Sequence, residues 1–233
     1  MNRDKKRVKN NAIRKLIAII FCLAVMGLMY WLGNIGISLL YRAVIFIGIA
    51  IITIVGLNVI GNSRKLRIVD GRKAISPILY EEGNGEKFIE ETKRLSEFAE
   101  DPSLFGALQV DLGIAHMFIG EYGKAAEYFG RISSEGMDPI NNNVFMTNKL
   151  INQFLSGDGV TAVKVMDNNR EAFEQLHDPE FDYIKAPILL LDALRQKYLG
   201  NREEAEKIIT AFKEKFTDKY NQVLIEKVED YGR

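Results

Sequence analysis

The chain has 233 residues, and its 31 Lys and Arg balance 31 Asp and Glu to a net charge of zero. That balance conceals two unlike parts: residues 1–73 hold 13 basic and 2 acidic side chains, a net of +11, and residues 74–233 hold 18 and 29, a net of −11. An acidic C-terminal part lacks the basic surface that phosphate binding requires, so nucleic acid is excluded as its partner, and a single cysteine excludes an intramolecular disulfide.

Residues 1–15 form a basic N-terminus carrying Arg3, Lys5, Lys6, Arg7, Lys9, Arg14 and Lys15. Two uncharged stretches follow, Leu16 to Tyr41 and Ala43 to Ser63, interrupted only by Arg42. Each exceeds the roughly 20 apolar residues that an α-helix needs to cross a bilayer. The chain therefore predicts a transmembrane helical hairpin within residues 16–63, with spans at about 16–33 and 38–61 and a turn around Gly33 to Gly36. Basic residues flank the block on both sides, with Arg64, Lys65, Arg67, Arg72 and Lys73 following it. Positive flanks mark the cytoplasmic side and place both termini there, with the basic groups near anionic headgroups. A bacterial cell membrane is the expected location of so compact a hairpin. A cleaved signal peptide fits poorly, because its apolar core is only about 7 to 15 residues long and here the run continues through Tyr30 and Trp31. Phe21 before Cys22 also opposes a lipoprotein signal. Tyr30, Trp31 and Tyr41 suit interfacial anchors, and Arg42 lies near enough to the turn to snorkel outward. Without an acid or a histidine, two such spans supply no polar pathway, although they leave homo-oligomerisation open.

Residues 64–85 read as a juxtamembrane linker, with Asp70-Gly71, Ser76-Pro77 and Gly83-Asn84-Gly85 as breakers. No Gly-Lys-Ser or Gly-Lys-Thr follows the Gly-Asn-Gly-Glu segment, so it is a turn before a helix rather than a phosphate loop. From Glu86 onward apolar residues recur at helical spacing, which predicts helices at 86–99, 103–119, 122–132, 140–156, 159–175, 179–199, 202–216 and 219–230. Residues 86–233 are enough to bury a core.

Three segments within this region align without gaps. They are Gly120-Glu121-Tyr122-Gly123-Lys124-Ala125, Gly157-Asp158-Gly159-Val160-Thr161-Ala162 and Gly200-Asn201-Arg202-Glu203-Glu204-Ala205. Glycine accepts the left-handed conformation that often ends a helix. An acid or Asn suits the first turn of the next helix, and Ala lets two helices approach closely. Together with Leu112, Gly113 and Phe129 in the first copy, Met166 in the second, and Ala193, Ile209 and Phe212 in the third, these residues resemble the tetratricopeptide repeat (TPR) over about residues 105–216. The pattern departs from the family at Asp192, where Leu is usual, and in glycine spacings of 37 and 43 against about 34.

The resemblance implies an all-α fold: a TPR-like α-solenoid of antiparallel helix pairs over residues 86–233, whose first helices line a concave groove for a protein or peptide partner. Carried over position by position, the partner-binding surface comprises Val110, Ile114, Met117 and Phe118, then Thr147, Ile151, Phe154 and Leu155, then Leu190, Leu194, Lys197 and Tyr198. Such a groove is chiefly apolar and suits a hydrophobic helix or segment. The same side chains would alternatively face a neighbouring helix, including the one at 219–230.

Catalytic chemistry has no visible basis. His116 and His177 are far apart in sequence, and neither His-Glu-x-x-His, paired-Cys metal spacing nor Gly-x-Ser-x-Gly occurs. The nearest constellation, His177, Asp178, Glu180 and Asp182, reads better as a helix start with Asp as cap and Pro at the first position. No catalytic residue, cofactor or metal is expected. The expectation is a membrane-anchored scaffold or adaptor that is not itself an enzyme; the alternative is a regulatory or enzyme subunit of a membrane complex.

Overall fold

The computed structural model describes residues 3–99, 101–133 and 137–232, with side chains from residue 19 onward except those of Ile60 and Arg64. The side chains of the basic segment 1–15 and of Arg64 thus lie outside the described residues. Among the described residues all regular structure is helical, as the periodicity predicts. The chain divides into two compact units, the boundary falling between Ser63 and Arg64.

The first unit contains α1 (Arg3–Asn34) and the beginning of α2 (Leu39–Tyr80). Gly36 turns the chain at φ 82°. There the Ile37 N–H donates to the Leu32 carbonyl at 3.0 Å and the Gly36 N–H to that of Gly33 at 3.1 Å, closing the last turn of α1. The Arg42 guanidinium lies against Gly33, so close that a Cβ there would stand 2.5 Å from one of its nitrogens. The large apolar side chains from Ile19 to Val59 are mostly exposed, which is a surface suited to apolar surroundings rather than to water. Among the described residues α2 is the one helix long and apolar enough to cross a membrane; the apolar part of α1, Ile19–Asn34, is shorter.

The second unit corrects the predicted linker at 64–85, because α2 continues as helix to Tyr80. The first two predicted breakers do not stop it. At Asp70-Gly71 the missing side chain admits α3 (Gly85–Ser96): a Cβ on Gly71 would stand 2.6 Å from a Leu95 methyl. At Ser76-Pro77 the proline has no N–H for the Lys73 carbonyl, and the Ser76 hydroxyl donates to that carbonyl instead, at 3.2 Å. Ile68 and Leu79 are buried, so tertiary packing stabilises these turns beyond their own propensity. Gly83, at φ 66°, ends the connection, and Asn84 caps α3 by accepting from the Lys87 N–H at 3.0 Å.

The remaining helices follow closely where periodicity predicts them: α4 (Pro102–Phe118), α5 (Tyr122–Gly130), α6 (Pro139–Leu155), α7 (Gly159–Asn168), α8 (Arg170–Gln175), α9 (Lys185–Tyr198), α10 (Arg202–Lys215) and α11 (Lys219–Asp230). The predicted helix at 159–175 is split between α7 and α8, and the one at 179–199 begins as a 3-10 segment, Pro179–Ile184. Asp101, Asp138, Asp158 and Asp218 cap α4, α6, α7 and α11 with side-chain oxygens. Helices α4 and α5, α6 and α7, and α9 and α10 pack as sequential neighbours, while α6 also meets α4 and α9.

The three glycine turns are alike in detail. Gly120, Gly157 and Gly200 have φ of 83°, 92° and 82°. In each, the residue after the glycine donates its N–H five positions back, from Glu121 to His116 at 2.8 Å, Asp158 to Gln153 at 2.8 Å and Asn201 to Gln196 at 2.9 Å. This is the paired closure that glycine permits at a helix C-terminus. Ala125, Ala162 and Ala205 are fully buried in the helices that follow. Gly113 on α4 lies under the Phe129 ring of α5, where a Cβ would stand 2.5 Å from a ring carbon.

Candidate functional site

The face predicted to bind a partner is built from α4, α6 and α9, and the structure does bring those three helices together. Val110, Ile114, Met117, Phe118, Ile151, Phe154, Leu190 and Leu194 all belong to one buried apolar cluster. Thr147 is buried and Leu155 is half-buried against the cluster. Only Tyr198 remains open, at 40 % exposure. Most of the predicted groove residues are therefore not freely accessible in this structure, which corrects the expectation of an open groove, and α11 covers part of the face.

Helix α11 packs against α4, α9 and α10. Its buried residues Tyr220, Leu224, Ile225 and Val228 recur at intervals of four, one and three, which form a single apolar stripe on a helix. Tyr220 stacks on Phe118 with centroids 5.5 Å apart and planes 17° from parallel, and meets Tyr80 at 4.8 Å. At the other end Tyr231, just past α11, sets its ring edge-on to Phe154 at 6.1 Å, and Tyr198 meets Phe154 from α9 at 6.0 Å.

Polar contacts fix the register of this helix. Lys197, a predicted groove residue, donates its ammonium to the backbone carbonyls of Val228, at 2.8 Å, and Glu229. A cation on the last carbonyls of a helix satisfies acceptors that have no partner within it and opposes the negative end of its dipole. Lys213 pairs with Glu229 at 2.6 Å, and Lys219 donates to the Glu82 carbonyl at 2.9 Å. The sequence shows α11 and its apolar stripe; the aromatic matches of Tyr220 to Phe118 and of Tyr231 to Phe154 are tertiary and leave no local signal.

The two histidines occupy different settings. His116 is buried, stacked on Tyr128 at 5.1 Å, with Nδ1 at 2.7 Å from Glu121, whose other oxygen accepts from Lys124 at 2.6 Å. Burial holds its pKa below the usual value despite the Glu121 carboxylate. His177 lies near the surface with Nε2 3.4 Å from Asp192. Burial pushes the Asp192 carboxyl up to about 6, against the opposing charges of His177 and Arg195. Arg195 in turn pairs with Asp167 at 2.8 Å. Asp178 precedes the 3-10 segment without a side-chain cap bond, and Asp182 pairs with Lys185 at 3.3 Å. Among the described residues no group of three or more His, Cys, Asp or Glu is placed to hold a metal ion.

One further ion pair revises a sequence expectation. Arg72, predicted among the headgroup-facing cations, instead grips Asp111 of α4 through two bonds of 2.7 and 2.9 Å. This bidentate pair ties α2 to α4. No family model, curated protein or solved structure matches the chain.

Proposed function

We propose that the chain is a membrane-anchored protein-interaction module. The apolar segments of α1 and α2 form a two-span hairpin with both termini in the cytoplasm, and α4–α5, α6–α7 and α9–α10 act as TPR-like helix pairs that recruit a protein or peptide partner. The anchor reading is supported by the length and composition of α2 and by the exposed apolar surface of the first unit. The repeat reading is supported by the three equivalent glycine turns and the buried alanines that follow them.

The observation that carries the binding reading is the seat of α11. Helix α11 already lies against α4 and α9, held by an apolar stripe, by Tyr220 on Phe118, by Tyr231 reaching Phe154 of α6, and by a lysine on its last carbonyls. This is helix-in-groove recognition made within one chain. A partner helix of the same pattern, apolar at positions equivalent to 220, 224 and 228, exchanges with α11.

Crosslinking in intact membranes, comparing the full chain with one ending at Thr217, tests this. The same crosslinked partner should be enriched when α11 is removed. Equal or lower capture by a chain that still folds would rule out exchange on this face. A reporter active only outside the cytoplasm, fused to the C-terminus, tests orientation: activity there would refute it.

A further inference from the structure

The chain leaving α3 runs back along α2 within the second unit. Leu95 packs on Gly71, the Arg67 guanidinium lies 5.3 Å from the centroid of the Phe98 ring, and Lys65 pairs with Asp101 at 2.8 Å. The contacts step from 71 to 67 to 65 on one side as they step from 95 to 98 to 101 on the other. Asp101, before the first turn of α4, is thus held beside Lys65. On α2 that lysine stands two positions past Ser63, where the uncharged run ends, which is an axial rise of about 3 Å.

Two large apolar side chains are left open at this level, Leu66 at 59 % and Phe98 at 55 % exposure. Phe98 is the only exposed phenylalanine among the described residues of the second unit. Six other phenylalanines of that unit, at 88, 118, 129, 145, 154 and 212, are buried in the core. An open aromatic ring with a guanidinium against it, and an exposed leucine one residue before that arginine on α2, have the chemistry of an interfacial anchor. The rings and methyls enter the boundary of the acyl chains, and the cation stays among the phosphates. Lys65 is matched by Asp101, and Glu97 in the same loop opposes anionic headgroups, so the contact is chiefly apolar.

We propose that Leu66, Arg67 and Phe98 form a foot that sits in the interfacial layer of a lipid bilayer, which makes the connection between α3 and α4 a second membrane contact beside the α2 span. The occupant is the bilayer surface, because the foot begins within one helical turn of the point where the apolar run of α2 ends. This inference rests on the reading of α2 as membrane-spanning.

Trp31 is the only tryptophan, so the two readings can be probed separately in full-length protein in lipid nanodiscs. The unsubstituted chain reports on the hairpin, and F98W in a W31F background reports on the foot. L66W in the same background repeats the second measurement. Discs of phosphatidylcholine brominated near the headgroup should lower emission about two-fold from both positions, relative to unbrominated discs, as expected for rings at the interface. Quenching of Trp31 without quenching of F98W or L66W would leave the hairpin standing and overturn the foot. No quenching at any position would overturn both. An indole at 98 that is unquenched by lipid bromine and also shielded from aqueous acrylamide would report a protein seated on the patch, and that too would overturn the proposal.

Discussion

Tyr220 of α11 lies ring over ring on Phe118 of α4, and the same tyrosine meets Tyr80 at the end of α2. One side chain thus joins three helices that are far apart in sequence. It also covers the part of α4 on which Phe118 lies.

Tyr220→Ala removes this junction. Truncating a buried aromatic costs about 3 to 5 kcal/mol where the site does not collapse, and the end-of-helix position places the loss toward the lower figure. Chemical unfolding of the full chain in nanodiscs measures it. Hydrogen exchange should rise first across residues 219–230, ahead of α4 and α9.

Lys197→Met keeps the apolar stem and deletes the ammonium that holds the carbonyls of Val228 and Glu229. A charged hydrogen bond of this kind contributes about 1.5 to 3 kcal/mol. Exchange should accelerate at the C-terminal turn of α11 while its N-terminal turn, capped by Asp218, changes less.

Gly113→Ala and Gly123→Ala separate close packing from backbone propensity. A Cβ at 113 meets the buried Phe129 ring at 2.5 Å, whereas one at 123 meets nothing within 4 Å. The first change should destabilise by about 1 to 3 kcal/mol through overpacking. The second should be neutral or stabilise by up to about 1 kcal/mol, since Ala favours a helix over Gly. Equal melting temperatures for the two variants would contradict the close approach of α4 and α5.

Asp192 gives a pH dependence of defined sign. Its folded pKa is raised from 3.8 to about 6, so the folded state binds the proton more tightly than the unfolded chain. Stability from this group is full below the unfolded pKa, declines as pH rises from about 4 to about 6, and is level above that. Asp192→Asn removes the penalty and should stabilise the protein at pH 7 by on the order of 1 to 2 kcal/mol, allowing for solvent contact. Unfolding curves at pH 4 and pH 7 should show the variant gaining only at the higher pH.

The legible parts of this fold are those fixed by neighbours in sequence. Gly120, Gly157 and Gly200 each announce a helix end because their left-handed conformation excludes most other residues. Asp and Pro at the starts of α4 and α6 are equally local. Ser76-Pro77 misleads for the converse reason. A proline in sequence signals a break, and only the structure shows the Ser76 hydroxyl taking over the Lys73 carbonyl. Gly71 reads as a turn residue, yet its purpose is to let Leu95 in from α3. The predicted groove fails as an open surface on the same ground. The apolar spacing of Phe118 shows that the side chain must be covered, but not that Tyr220 of α11 covers it.

The connection from α10 to α11 consists of Phe216, Thr217 and Asp218. A tether this short keeps the helix at an effective concentration of about a millimolar or more over its own seat. A free helix of equal intrinsic affinity, present at about one micromolar, would hold that seat roughly one-thousandth of the time. Any partner of this face would therefore have to outbind α11 by several orders of magnitude, or be confined close to it so that its own local concentration rises.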